Sequence, residues 1–319
     1  MQSSVHYKKA FSLLELIFVI IILGIVSSIG ATILAQLYEN HIVQRAMHRV
    51  TSKTELAINQ IANRLSYRID NSVITRRTDT FEPLTDMPFN TNNRDRTTLE
   101  WIGYDNESFS AQRRPGWSGY CDLSASSAAG GISTSGSTLT TTDTIIGNLS
   151  GASNPQLALL FSLNGNLDAG IVPSSQCFGY DGNTSCIHQV TITNNTTLGT
   201  NRAAATAHIS DHYKLAWSAF AIVSVNEDAL YNDVRDGAEV SGENPRSFDL
   251  EFRYNYQPWA GDSYDDAGTA RSTIIRNVTS FKYAELGGTL RIKLCATERV
   301  GDVGSSVNVS VCKEKVVMR

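Results

Sequence analysis

The chain has 319 residues, a formal net charge of −4, 41% hydrophobic and 18% charged residues, and five cysteines. That length allows one large domain or two small ones with a real core, and the mild acidity excludes a global electrostatic pull on nucleic acid, so any DNA contact would have to be a local patch. All five cysteines follow an apolar N-terminal segment, which fits an exported protein in an oxidising compartment rather than a cytosolic enzyme.

Lys8 and Lys9 precede an uncharged stretch from Leu16 to Ala35. As a helix at ~1.5 Å per residue it measures roughly 30 Å, the thickness of a bilayer core. The lysines hold its N-terminus on the cytoplasmic side and leave everything after residue 40 on the other face. Glu15, at the entrance, needs a partner, because an ionised carboxylate in a membrane helix costs about 3 kcal/mol near the centre and less near an end. Cleavage between Ala10 and Phe11 would create one, an α-ammonium one helical turn from Glu15 on the same helix or facing Glu15 of a neighbour. A secretory signal peptide cut near Ser28-Ile29-Gly30 and a plain signal anchor share the basic start and the apolar run, but neither explains Glu15.

The run Lys8-Lys9-Ala10-Phe11-Ser12-Leu13-Leu14-Glu15 resembles the cleavage and methylation motif of type IV prepilins and of the pseudopilins of type II secretion. The resemblance implies that a membrane prepilin peptidase cuts the Ala10–Phe11 bond and methylates Phe11. It implies that Glu15 guides the subunit into a filament beside other pilins or pseudopilins, at an inner-membrane assembly platform. Where the family usually has Gly before the cut, this chain has Ala10, which is also small. Thr32 stands where many major pilins carry a kinking Pro, so a straighter first helix is expected. Losing Lys8 and Lys9 with the leader takes the net charge from −4 to −6.

Beyond the membrane segment, apolar or small residues recur at Val43, Met47, Val50, Thr54, Ala57, Ile58, Ile61, Leu65 and Ile69, with His48, Arg49, Lys53, Glu55, Arg64 and Arg68 on other faces. One helix from Phe11 to Ile69, roughly 90 Å long, is therefore expected, half in lipid or a bundle of like helices and half packed on a sheet. Sustained a/d leucines are lacking, which argues against a coiled coil. From Ser72 to Gln112 the chain turns polar, with Leu99 to Tyr104 as a short strand, and Ser124 to Pro155, rich in Ser, Thr, Gly and Ala, reads as a long surface excursion. The adjacent pairs Arg76-Arg77 and Arg113-Arg114 read as solvated faces.

Strand signals fill the C-terminal half. Leu215 to Val225 reads as a central strand, entered through a short helix. Phe248, Leu250, Phe252, Tyr254 and Tyr256 alternate with polar residues and form one half-buried face. Ile274 to Tyr283 and Thr289 to Ala296 are joined near Gly287-Gly288, and Val307 to Val317 is last. Spacing pairs Cys177 with Cys186 and Cys295 with Cys312 and leaves Cys121 over, although five positions allow other choices. A Cys295–Cys312 register sets Lys293 opposite Glu314 and Lys313 opposite Leu294, and the second pairing calls for a bulge or a shift.

The expected fold class is α+β and, by the resemblance, pilin-like: a long N-terminal helix on an antiparallel sheet with long loops. Its divisions are 1–10 (leader, removed), 11–35 (transmembrane and assembly half of the helix), 36–72 (amphipathic half), 73–155 (variable polar and Ser/Thr/Gly-rich loops) and 156–319 (sheet head). No catalytic site is expected: there is no His-Glu-x-x-His, Gly-x-Ser-x-Gly or P-loop. His208 and His212 stand at i, i+4 without an obvious third ligand and read as a polar lead-in to a strand. Asp262, Asp265 and Asp266 form an acidic loop that fails the EF-hand template, and a solvated turn is preferred to a Ca²⁺ site. No cofactor is called for. Asn183, in Asp181-Gly182-Asn183-Thr184-Ser185, fits a glycosylation acceptor.

Taken with the resemblance, the large head implies a minor pilin of the W type or a pseudopilin of the J type, at a filament tip or in initiation of a type IV pilus or type II secretion filament. Such a subunit passes the bacterial inner membrane once, head in the periplasm, before entering the filament. A tip binding module, an adhesin or DNA-uptake receptor, is the alternative, and a nucleic-acid partner is not otherwise expected.

Overall fold

The computed structural model describes residues 13–69, 71–77, 80–84, 97–110, 114–127, 130–151, 156–161, 175–200, 209–226, 247–300 and 307–318. A single helix, α1 (Leu13–Leu65), opens the fold. Its second half buries Ala46, Val50, Thr54, Ala57, Ile58, Ile61, Ala62 and Leu65, and the Thr54 hydroxyl is satisfied by donating to the Val50 carbonyl at 2.7 Å. The buried face departs from the expected stripe by including Ala46 and Ala62, and two further positions differ. Met47 points outward, 51% exposed, while Arg68 is buried and closes the helix end, donating to the carbonyls of Leu65 and Gly288 at 3.0 and 2.9 Å. A cation at the C-terminal carbonyls complements the helix dipole and satisfies groups that would otherwise lack partners.

The stripe lies on a sheet of eight antiparallel strands, β1 (Ile74–Arg77), β2 (Thr80–Pro83), β3 (Thr98–Gly103), β9 (Ser218–Val225), β10 (Phe248–Tyr256), β11 (Ala270–Leu286), β12 (Thr289–Val300) and β13 (Val307–Val317), in the order β13-β12-β11-β10-β9-β3-β1-β2. The stretch 73–155 supplies three strands of the main sheet: β3 falls on the expected short strand Leu99–Tyr104, while β1 and β2 lie where loops were expected. Between β3 and β9, which pair directly with Gly103 opposite Ser218, the chain leaves the sheet and builds a second lobe. That lobe contains α2 (Asn106–Phe109), β4 (Ile132–Ser133), α3 (Leu139–Ser150), β5 (Leu157–Phe161), β6 (His188–Asn194), β7 (Thr197–Thr200) and β8 (Tyr213–Ala216), with a five-stranded sheet in the order β4-β7-β6-β5-β8.

Side-chain alternation shows the layering. On β9, Phe220 and Ile222 join the α1 core with Trp101, Leu250 and Ile292, whereas Ala219, Ala221 and Val223 face Ala158 and Leu160 of β5. On β5 in turn, Leu157 and Leu159 face α3 through Leu139 and Ile146. The order is helix, large sheet, small sheet, helix, with period-two strands feeding adjacent cores. Ser124–Pro155 is accordingly no mere surface excursion: its few apolar residues at Ile132, Leu139 and Ile146 are spaced to cover the small sheet, and all three are buried.

Three further expectations change. The expected strand Leu215–Val225 is two strands that bend at Trp217 and switch sheets, and β8 occupies the place expected for an entry helix. In β10, Asn255 adopts φ 63° and the register shifts between Arg253 and Tyr256. The extra residue flips the strand's phase, so Phe252 and Tyr254 pack toward α1 while Tyr256 enters the opposite core. Finally, β12 and β13 pair without a shift from Leu290↔Val317 to Val300↔Val307. The Lys313–Leu294 juxtaposition needs no bulge because the β13 lysines reach past the core to α1: Lys313 Nζ lies 3.5 Å from Glu55, and Lys315 donates to Asn59 at 2.6 Å. Inward-leaning lysines on an edge strand also deter edge-to-edge pairing.

Candidate functional site

Glu15 sits in the first turn of α1, where a carboxylate is favoured by the helix dipole. The cleavage residues Ala10 and Phe11 lie outside the described residues. Between Leu13 and Tyr38 no side chain is buried, and seventeen large apolar ones are each about half to four-fifths exposed. Scaled by these exposures at about 1.5–3 kcal/mol per side chain, this surface would cost roughly 15–30 kcal/mol, at least the whole net stability of an ordinary domain. The segment therefore requires lipid or other apolar helices, and α1 is the only helix among the described residues long and apolar enough to cross a membrane. Thr32 keeps the helix continuous, its hydroxyl donating back to the Ile29 carbonyl at 2.8 Å.

The head grips only the second half. Besides the apolar stripe, Arg49 pairs with Glu298 and Arg64 with Glu107, both at 2.7 Å, and the Arg64 guanidinium lies 5.8 Å above the Phe220 ring. These exposed pairs add little energy individually but orient α1, the first against β12 and the second against α2. Rigid docking of one half and complete exposure of the other give the molecule a handle whose orientation is set by the head.

Residues 5–31 match the family model of the prokaryotic N-terminal methylation motif. The matched segment contains Ala10, Phe11 and Glu15 together with most of the exposed apolar surface. The match supports the type IV prepilin and pseudopilin family. No curated protein matches the chain, and no solved structure does.

The remaining candidate residues are distributed over the head. Cys177–Cys186 and Cys295–Cys312 are disulfides, the second joining directly opposed residues of β12 and β13, and Cys121 is a buried thiol. The acidic-loop residues have protein partners: Asp262 accepts from the Gln257 N–H, Asp266 from the Ser263 N–H, and Asp265 pairs with Arg253 at 2.5 Å. Among the described residues no group of three acidic, His or Cys side chains is placed to hold a metal. His208 lies outside the described residues, and His212 is exposed beside Asp211.

Sequence reasoning missed a buried polar centre under the lobe. Arg76, expected on a solvated face, donates from Nε to Glu100 at 2.5 Å, and Glu100 is fully buried and also accepts from the Tyr256 hydroxyl at 3.0 Å. The Arg76 guanidinium lies 5.2 to 5.8 Å from the rings of Phe81, Tyr180 and Tyr264. Burial pushes the Glu100 carboxyl above its usual range, and Arg76 opposes that push. The available signal was Glu100 itself, a lone acid within the apolar run Leu99–Ile102. A second buried acid, Asp105, caps α2 by accepting from the Ser108 N–H at 3.1 Å and from the Ser108 hydroxyl, and burial raises it to about 6. Arg77 and Arg113 have no described side chain, and Arg114 is exposed.

Proposed function

We propose that the chain is a structural, non-enzymatic subunit of a type IV pilus or type II secretion filament, a minor pilin or pseudopilin. In this reading it is stored in the inner membrane after cleavage at Ala10–Phe11 and drawn into the filament through α1. The observation that carries the reading is the wholly exposed, uncharged half of α1 with Glu15 at its start, under the methylation motif. The methylated ammonium of Phe11 meets Glu15 of the same or a neighbouring helix, while lipid contacts are exchanged for helix contacts of similar apolarity. Glu15→Ala or Glu15→Val is expected to block filament entry while leaving membrane insertion intact. Normal entry of either variant would sink the mechanism.

The lobe of residues 104–217 supports a position at the tip or in initiation, as for W-type minor pilins and J-type pseudopilins, because such bulk packs poorly along a dense shaft. It also favours a second reading as a tip binding module, since the lobe lies on the face of the large sheet opposite α1. Binding of the purified full chain to DNA, with affinity falling steeply as salt rises, would support a DNA-uptake role.

A further inference from the structure

The chain has seven Asn-x-Ser/Thr sequences, and the structure separates one from the others. Asn106 and Asn148 lie in helices, Asn277 and Asn308 in strands, and Asn194 and Asn195 at the tight β6–β7 turn. Asn183 lies outside all of these, exposed in the loop closed by Cys177–Cys186. It alone has an acid two residues earlier, Asp181, whose carboxylate accepts the Asn183 backbone N–H at 3.0 Å. The Asn183 Oδ1 accepts the N–H of Ser185 at 3.0 Å, so the carboxamide is already turned onto the hydroxyl residue of the motif. That bond uses the oxygen, and Nδ2 makes no hydrogen bond among the described residues. Gly182 at φ 88° and the bond from Gly179 N–H to the Asn183 carbonyl make the tight turn that presents the side chain.

We propose that Asn183 is an N-glycosylation site, taking an oligosaccharide from a polyprenyl-diphosphate donor on the periplasmic face. Asn183 Nδ2 bonds to the anomeric carbon and loses one proton, and the bond from that carbon to the diphosphate oxygen breaks to release the lipid diphosphate. Asp181 and Ser185 flank the acceptor as recognition elements of the transferase. The loop's own Cys177, Phe178 and Ile187 pack in the core on the opposite side of the large sheet from α1, so a glycan projects away from the assembly helix.

The inference rests on the head being exported, and the test separates the two. Full-length protein is purified from its own membranes, and the peptide spanning Asp181–Ser185 is weighed by mass spectrometry for wild type, Asn183→Gln, Asp181→Ala and Asn194→Gln. Protease shaving of intact spheroplasts reports independently whether the head lies outside. The expected result is a glycan mass on the wild-type peptide, unchanged in Asn194→Gln, absent in Asn183→Gln and largely lost in Asp181→Ala. An exported head whose Asn183 is bare, or whose occupancy ignores Asp181→Ala, overturns the proposal. Each variant is first checked for membrane insertion and for the Cys177–Cys186 bond, so a folding failure is recognised as such.

Discussion

Asp105→Asn should stabilise the protein at neutral and alkaline pH. Asp105 is 1% exposed, and its carboxyl is raised from 3.8 to about 6 by burial. A folded-state pKa above the unfolded one means that the native state binds the proton more tightly. The group's contribution is therefore fully present below pH 3.8 and is lost as pH rises through about 6. A shift of ~2 units at 1.36 kcal/mol each amounts to ~3 kcal/mol of stability lost by wild type over that interval. Asparagine keeps the acceptor for the Ser108 N–H, and the Ser108 hydroxyl can turn to accept from the new amide. Allowing about 1 kcal/mol for the lost charge-assisted bond leaves a net gain near ~2 kcal/mol at pH 8. All four tryptophans lie in the head, and Trp117 donates to the Asp105 carbonyl at 2.9 Å, so tryptophan fluorescence during urea unfolding of the full chain in detergent reports the event. The variant's stability should be flatter than that of wild type between pH 4 and 7, and the two should cross within that range. Equal stability at pH 8 together with parallel pH profiles would refute the assignment.

Glu100→Gln should destabilise by about 3 kcal/mol or more, because it leaves the Arg76 cation in a buried site without its counter-charge. The double variant Arg76→Met, Glu100→Gln should recover most of that loss, and strict additivity in the same unfolding assay would contradict a coupled pair. Opening Cys295–Cys312 with serines should cost ~3 kcal/mol by loop-closure entropy across a separation of 17 residues, measurable as a lower denaturation midpoint. Ile61→Ala, fully buried against the sheet, should cost about 2–5 kcal/mol and loosen the head from α1, seen as faster amide exchange in β12 and β13 while Leu16–Ala35 is unchanged.

Legibility in the sequence varied with how local the cause was. The α1 stripe was readable because helical period and burial agree at Val50, Thr54, Ala57, Ile58, Ile61 and Leu65; it failed at Met47, where Ala46 takes the buried place instead, and at Arg68, where capping replaces packing. Alternation in β10 held until Asn255, whose positive φ no side-chain pattern announces. The second lobe was hidden for a different reason. Its core is assembled from short strands and a Thr-rich helix whose apolar residues, Leu139 and Ile146 among them, are too sparse to stand out locally and are buried only through partners far away in the chain. The methylation motif was readable because it is linear. The Arg76–Glu100 centre was not, since its members meet only when β1 and β3 pair and the Tyr180 loop folds over them.

Because Gly103 and Ser218 face each other across β3 and β9, the second lobe begins and ends about 5 Å apart, the distance between paired strands. A chain built this way can lengthen, shorten or exchange the excursion without altering the strand order or the seat of α1. The limit is the shared layer: Ile102, Ala219, Ala221, Val223 and Tyr256 would meet water in a version lacking the lobe. A reduced relative made by joining Gly103 to Ser218 through a two-residue turn would need polar side chains at those five positions, and it would retain the helix handle while presenting a bare outer sheet.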